Sequence, residues 1–260
     1  MGAGRHYAVR RNLPRCRNVS LTAGGRVLCA FPPPSDLEIP MKTRLCTVWL
    51  ILAAAVSANA AEPAENADAE RRMQTVIDEV EKTCLEDTVY MIGRKKAERL
   101  AELVRQRKPR VVVECGTALG YSGLWIAREL RAAGKGRLIS IEISPRRAKQ
   151  AAANFRKAGL EDLITIKVGD AREVVKQIDA PIDFVFIDCG SSNYYPCLKG
   201  LEKKLGGGTV IVADNAGISA GGMQDYLKHV RAKYQSSTEW FDIDLPWAKR
   251  DAMEITVIPR

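Results

Sequence analysis

Five apolar stretches of this 260-residue chain are each followed by an acid. Val111-Val112-Val113 leads to Glu114, Leu138–Ile141 to Glu142, Leu163–Ile166 to Asp170, Ile182–Ile187 to Asp188, and Thr209–Val212 to Asp214-Asn215. A carboxylate at a buried sheet edge needs a partner. Ligand hydroxyls and hard cations held by oxygen are the partners such groups suit. Glu114-Cys115-Gly116-Thr117-Ala118-Leu119-Gly120 carries glycines in G-x-x-x-G spacing. Glycine admits positive φ and close approach of backbone to a ligand. The spacing is not the dinucleotide G-x-G-x-x-G, and a plain tight turn has the same composition. Glu142 lies 28 residues past Glu114; an acid there can accept both hydroxyls of a ribose or stand solvated before a helix. Asp214-Asn215 reads as a pair of oxygen ligands or as an Asx turn.

The elements that position these acids alternate. A polar linker over 61–72 leads to a helix around 72–85. A second helix starts at Arg94, with Ala97, Leu100, Ala101 and Val104 at i, i+3, i+4, i+7. Strands are expected at 111–113, 138–141, 163–166, 182–187 and 209–212, the last entered through a Gly206-Gly207-Gly208 turn. Helices are expected near 121–133, from Ser144 (N-cap) and Pro145 to Gly159, over 171–178, on the stripe Tyr194, Leu198, Leu201, Leu205, and on Met223, Tyr226, Leu227, Val230, Tyr234. Two strands near 238–243 and 253–258 close the chain. Fully apolar strands alternating with helices imply an open, mostly parallel α/β sheet with helices on both faces. Ligands of such sheets bind beyond the C-terminal strand ends, where the five acids fall.

Val111–Ala127, Ile141-Glu142-Ile143-Ser144-Pro145, Phe186-Ile187-Asp188 and Val212-Ala213-Asp214-Asn215 resemble the class I S-adenosylmethionine-dependent methyltransferases, in particular the metal-dependent O-methyltransferases of the catechol and caffeoyl-CoA type. The likeness covers roughly residues 88–260. It implies a Rossmann-like fold with a seven-stranded, mostly parallel sheet and an antiparallel last strand. It also implies transfer of a methyl group to oxygen of a small hydroxylated aromatic acceptor. By that likeness Glu114 and Gly116 hold the methionine part of the cofactor, Ser122 its carboxylate, and Ile92 a backbone contact. Glu142 holds the ribose, Asp170 and Ala171 flank the adenine, and Asp188 also borders the cofactor. Asp188, Asp214 and Asn215 match three oxygen ligands of a divalent cation, which suits Mg²⁺ or Ca²⁺. Tyr121, Trp125, Tyr194 and Trp247 either line the pocket or fill the core.

Two stretches depart from the family. Where the pattern reads D-x-x-K-D-x-Y, this chain has Asp188-Cys189-Gly190-Ser191-Ser192-Asn193-Tyr194, with Ser191 at the position of the catalytic Lys. A serine has no pKa near neutrality and does not replace that base directly; Lys199 lies a helical turn or more away. Where the family reads L-P-x-G-D-G-x-T, the chain runs from Leu245 to Glu254 without the glycines. Two alternatives therefore stand beside the metal-assisted reading: a metal-independent methyltransferase of the same fold, and a cofactor-binding protein without turnover. His229, the domain's only histidine, is expected on a surface or helix end.

The formal charge of +9 is concentrated at the start: residues 1–60 hold eight of the 40 basic and two of the 31 acidic side chains. The remainder is close to balanced and argues against a nucleic-acid partner. Residues 41–60 have the form of a secretory signal, with Lys42 and Arg44, an apolar run Leu45–Val56, and Ala58-Asn59-Ala60. The apolar run is shorter than the about 20 residues of a membrane span. Export, or an N-terminal anchor with the domain on the cytoplasmic side, is expected. Residues 1–40 read as an over-extended start or disordered leader, 41–60 as the signal, 61–88 as linker and lead helix, and 89–260 as the methyltransferase domain. N-terminal membrane association and a homodimer are left open. Cys84, Cys115, Cys189 and Cys197 show no metal-ligand spacing, and Cys115 and Cys189 read as small buried hydrophobes at strand ends.

Overall fold

The computed structural model describes residues 66–260; the leader and signal readings lie outside the described residues. Helix α1 runs from residue 66 to 86, so helix already occupies part of the stretch expected to be linker. There follow α2 (Arg94–Arg107), β1 (Val111–Cys115), α3 (Tyr121–Ala132), β2 (Arg137–Glu142), α4 (Pro145–Ala158), β3 (Ile164–Val168), α5 (Ala171–Val174), β4 (Ile182–Ile187), α6 (Tyr194–Leu201), β5 (Leu205–Ala213), α7 (Gln224–Lys233), β6 (Gln235–Leu245) and β7 (Ala248–Val257).

The seven strands form one sheet in the order β3-β2-β1-β4-β5-β7-β6. The β1–β2, β1–β4, β2–β3 and β4–β5 pairs are parallel. Strand β7 runs antiparallel between β5 and β6. β1 is buried at every position because both sheet faces are covered. Alternate residues divide between two cores. Val112, Leu138, Phe184, Phe186, Val210 and Val212 pack with α1 to α4. Val111, Val113, Val185, Ile187 and Ile211 pack with α5 to α7. This is the open, mostly parallel sheet expected from the residues, in the Rossmann-like arrangement that the family resemblance implies.

The caps follow the residue types. Ser144 Oγ accepts from Arg147 N at 3.4 Å, Pro145 opens α4, and Gly159 ends it in a left-handed conformation. Two elements differ from expectation. Gly206, Gly207 and Gly208 lie within β5 rather than in a turn, and Leu205 starts that strand instead of closing α6. The terminal strands are longer than expected and form a hairpin turning at Pro246 and Trp247. No helix among the described residues is long and apolar enough to cross a membrane.

Candidate active site

A cavity of about 620 Å³ opens beyond the C-terminal strand ends. It sits where the strand order reverses between β1 and β4, the ordinary ligand position of an open α/β sheet. Gly116, Ala118, Glu142, Arg147, Asp170, Ala171, Arg172, Asp188, Asp214 and Asn215 line it. Tyr90 and Trp247, edge to face at 5.3 Å, add an aromatic wall.

The first turn is built by two glycines. Gly116 has φ 109°, and a Cβ there would overlap the Asp188 carbonyl oxygen, so the turn presses onto the end of β4. Gly120 has φ 90°, and a Cβ there would lie 2.7 Å from the buried Phe155 ring. Glu114 lies under this turn, fully buried, and does not line the cavity. It accepts from Ser122 Oγ at 2.5 Å and from Ser140 Oγ. Burial pushes its carboxyl up to about 7. Ser122 thus donates to Glu114 in this structure. It also borders a small recess next to the main cavity, with Met91, Ile92, Gly116, Ala118, Tyr121 and Asp188.

Glu142 ends β2 with its carboxylate turned to the cavity. It accepts from Ala118 N at 2.8 Å and Ser144 N at 2.9 Å, with Arg147 Nε at 3.2 Å. A carboxylate offers about four acceptor sites, so capacity remains for a ligand. Asp170 caps α5 by accepting from Arg172 N at 2.9 Å. The Arg172 guanidinium, with Nη2 2.5 Å from Oδ2, holds its carboxyl below the usual range.

The opposite end of the cavity carries a charge cluster. Lys96 on α2, 1% exposed, donates to Asp214 Oδ1 at 2.7 Å and Asp251 Oδ2 at 2.6 Å. Burial opposes its charge, but the two carboxylates outweigh that and hold the ammonium above the ordinary lysine range. Asn215, at φ 55°, turns its amide nitrogen to Asp214 Oδ2 (3.1 Å) and Asp251 Oδ2 (3.0 Å). Asp251 also accepts from Gly217 N and Ile218 N, at 3.2 and 2.9 Å. Burial works against its charge, yet Lys96 and these donors keep its carboxyl below the usual range. Asp188 borders this cluster. Burial, then the Asp214 carboxylate, push its carboxyl up to about 8.

Asp188 and Asp214 offer carboxylate oxygens to the same cavity, and Asn215 offers an amide oxygen not committed to Lys96. The all-oxygen chemistry fits Mg²⁺ or Ca²⁺. Asp214 is shared with Lys96. Among the described residues no three His, Cys, Asp or Glu side chains form a metal cage by themselves.

The structure therefore brings Gly116, Glu142, Asp170, Ala171, Asp188, Asp214 and Asn215 to one cavity, and Ile92 and Ser122 to the recess beside it. Ser191 does not line the cavity; it packs against Gly222, leaving no room for a Cβ there. Lys199 pairs with Glu202 at 2.6 Å, away from the site. His229 also bonds Glu202, at 2.7 Å, as a helix-surface residue. Of the four candidate aromatics, Trp247 lines the cavity and Tyr121 borders the recess, while Trp125 and Tyr194 belong to the core. Lys96 and Asp251 escaped sequence reasoning. The available signal was spacing: Lys96 precedes Leu100, Leu103 and Val104 by four, seven and eight positions, on the buried stripe of α2.

The sheet order, the glycine turn and the acids at the strand ends together define a class I S-adenosylmethionine-dependent methyltransferase. A family described as "Methyltransferase domain" matches residues 113–216. Catechol O-methyltransferase of Sus scrofa is 35% identical over 147 residues, covering 54% of this chain and 77% of that protein. Catechol O-methyltransferase B of Danio rerio is 31% identical over 193 residues, covering 71% and 72%. The chain belongs to the catechol O-methyltransferase family. Among solved structures, an O-methyltransferase from Bacillus cereus in complex with SAH superposes with a TM-score of 0.62, at 24% identity and covering 71% and 90% of the two chains. That likeness concerns the fold.

Proposed function

We propose that this enzyme transfers the methyl group of S-adenosylmethionine to an oxygen of a small acceptor carrying neighbouring hydroxyls on an aromatic ring, with a divalent cation at Asp188, Asp214 and Asn215. One observation carries the reading. A single cavity holds a ribose-type acid, Glu142, at one end, the oxygen donors at the other, and the Tyr90–Trp247 pair beside it.

When bound, S-adenosylmethionine supplies an electrophilic methyl group on a sulfonium. Glu142 would accept ribose hydroxyls with the capacity left by Ala118 N and Ser144 N. Asp170 and Ala171 would flank the base. The backbone at Gly116 would lie against the methionine part, permitted by the missing Cβ. A cation between the carboxylates would lower the pKa of an acceptor hydroxyl and orient it. Alignment of acceptor oxygen and methyl group can supply a large part of the acceleration such transfers need. No lysine stands at Ser191, and Ser191 turns to Gly222. This supports a reaction in which the acceptor proton leaves to water through the open cavity.

Calorimetric titration with S-adenosylhomocysteine tests the cofactor half. Glu142→Ala should weaken binding by about 1–3 kcal/mol, the effect of losing charge-assisted hydrogen bonds; unchanged affinity overturns the ribose assignment. Transfer to a panel of vicinal and single-hydroxyl phenols, with magnesium or a chelator, tests the rest. Activity that survives the chelator assigns a metal-independent reaction. Binding without transfer to any phenol assigns another acceptor class or a protein without turnover.

The Met41–Ala60 segment supports export or anchoring as a further proposal. An anchor that leaves the domain on the cytoplasmic side keeps it beside its methyl donor. Protease accessibility of intact cells tests this: a domain digested from outside assigns export, a protected membrane-bound domain assigns the cytoplasmic-side anchor, and a soluble cytoplasmic chain overturns both.

A further inference from the structure

The methyl-transfer reading leaves three thiols unused behind the cation-side wall of the cavity. Cys189 directly follows Asp188 after β4, is partly exposed, and lines the cavity. Cys197 lies on α6 and is fully buried. Their sulfurs are 3.7 Å apart. Cys115, at the buried end of β1, adjoins both. All three are unbridged.

The intervening segment permits closure. Gly190 at φ 89° starts a short 3₁₀ turn, Ser191–Asn193, that leads into α6. Asn193 Nδ2 donates to Cys189 O at 2.8 Å and keeps the two ends of the turn together. A disulfide needs a sulfur separation of about 2.05 Å, so side-chain rotation and a small shift of this turn complete the approach. Access is one-sided. A reagent in the cavity meets Cys189, whereas Cys197 is fully buried and does not line the cavity.

We propose that Cys189 and Cys197 form a dithiol modification site that takes a small disulfide as oxidant and closes into an intramolecular disulfide. The Cys189 thiol loses its proton to solvent and attacks oxidised glutathione. Its sulfur–sulfur bond breaks, one glutathione thiol leaves, and a mixed disulfide forms on Cys189. Cys197, losing its proton, then attacks the Cys189 sulfur and expels the second glutathione thiol. Two protein thiols are oxidised, and one external disulfide is reduced to two thiols. The product ties the residue next to Asp188 to α6 and removes a free thiol from the cavity wall.

The test uses the reduced full chain, incubated with oxidised glutathione, alkylated, and mapped with trypsin. Both cysteines fall in one tryptic peptide, residues 177–199, because no Lys or Arg separates them. The expected result is that peptide lighter by two hydrogens and unalkylated at both positions. Cys115→Ser should give the same product. Cys197→Ser and Cys197→Ala should stop at glutathione on Cys189, and Cys189→Ser should leave Cys197 reduced. A persistent mixed disulfide in the wild type, a bridge involving Cys115, or no reaction at either position overturns the proposal.

Discussion

Replacing Lys96 by methionine keeps the length of the side chain and removes its charge. Lys96 is 1% exposed and bonded to two carboxylates at 2.7 and 2.6 Å. Breaking a buried ion pair from one side destabilises by about 3–5 kcal/mol, because the remaining charge is left uncompensated. Here Asp251 keeps three donors, Asn215 Nδ2, Gly217 N and Ile218 N, at 3.0, 3.2 and 2.9 Å. The lower end, about 3 kcal/mol, is therefore expected. Urea unfolding in the presence of a chelator measures it. Asp251→Asn removes the charge of one of the two partners of Lys96. If the two residues exist chiefly to neutralise each other, the double variant should lose less than the sum of the single losses by about 2 kcal/mol. Magnesium should then raise the unfolding midpoint of Lys96→Met more than that of the wild type, since Asp214 is freed for a cation. Single losses that add to within about 0.5 kcal/mol refute the charge-pair account.

Glu114 should make stability depend on pH. Its carboxyl is raised from 4.5 to about 7 in the folded chain, so its contribution is fully present below pH ~4.5 and is lost as pH rises through ~7, a loss of about 3 kcal/mol. Glu114→Gln should remove that dependence; a constant stability difference between variant and wild type at pH 5 and pH 8 speaks against it. Ser191→Ala should change turnover by less than about threefold, since Ser191 packs on Gly222 rather than in the cavity; a loss of a hundredfold or more makes Ser191 catalytic. Gly116→Ala meets both a φ of 109° and the Asp188 carbonyl, and should cost about 2–3 kcal/mol in urea unfolding. A neutral effect there contradicts the close packing of the first turn on β4.

The fold was legible because its signals are local. Val111-Val112-Val113 and Ile182–Ile187 are apolar enough to be buried on both faces, and Ser144, Pro145 and Gly159 mark α4 by residue type alone. The Gly206–Gly208 run misled because glycine at the start of a strand looks like glycine in a turn. The acids of the site were legible because each follows its own strand. Lys96 and Asp251 were not, since their meaning lies in a contact between residues 155 positions apart. Lys95-Lys96 reads as an exposed charged helix face until α2 is packed. The outward turn of Ser191 depends on Gly222, which belongs to a different loop.

The placement of β7 between β5 and β6 makes the charge cluster depend on the last strand of the chain. Strands β1 to β5 can pair as the chain lengthens, but Asp251 arrives only when β7 inserts beside β5. Before that moment Lys96 and Asp214 face each other without the second acid and without the turn at Gly217 and Ile218 that Asp251 pins. The cation-side end of the cavity is thus complete only where β7 has paired with β5, and the parallel strands alone would lack both Asp251 and the turn it pins.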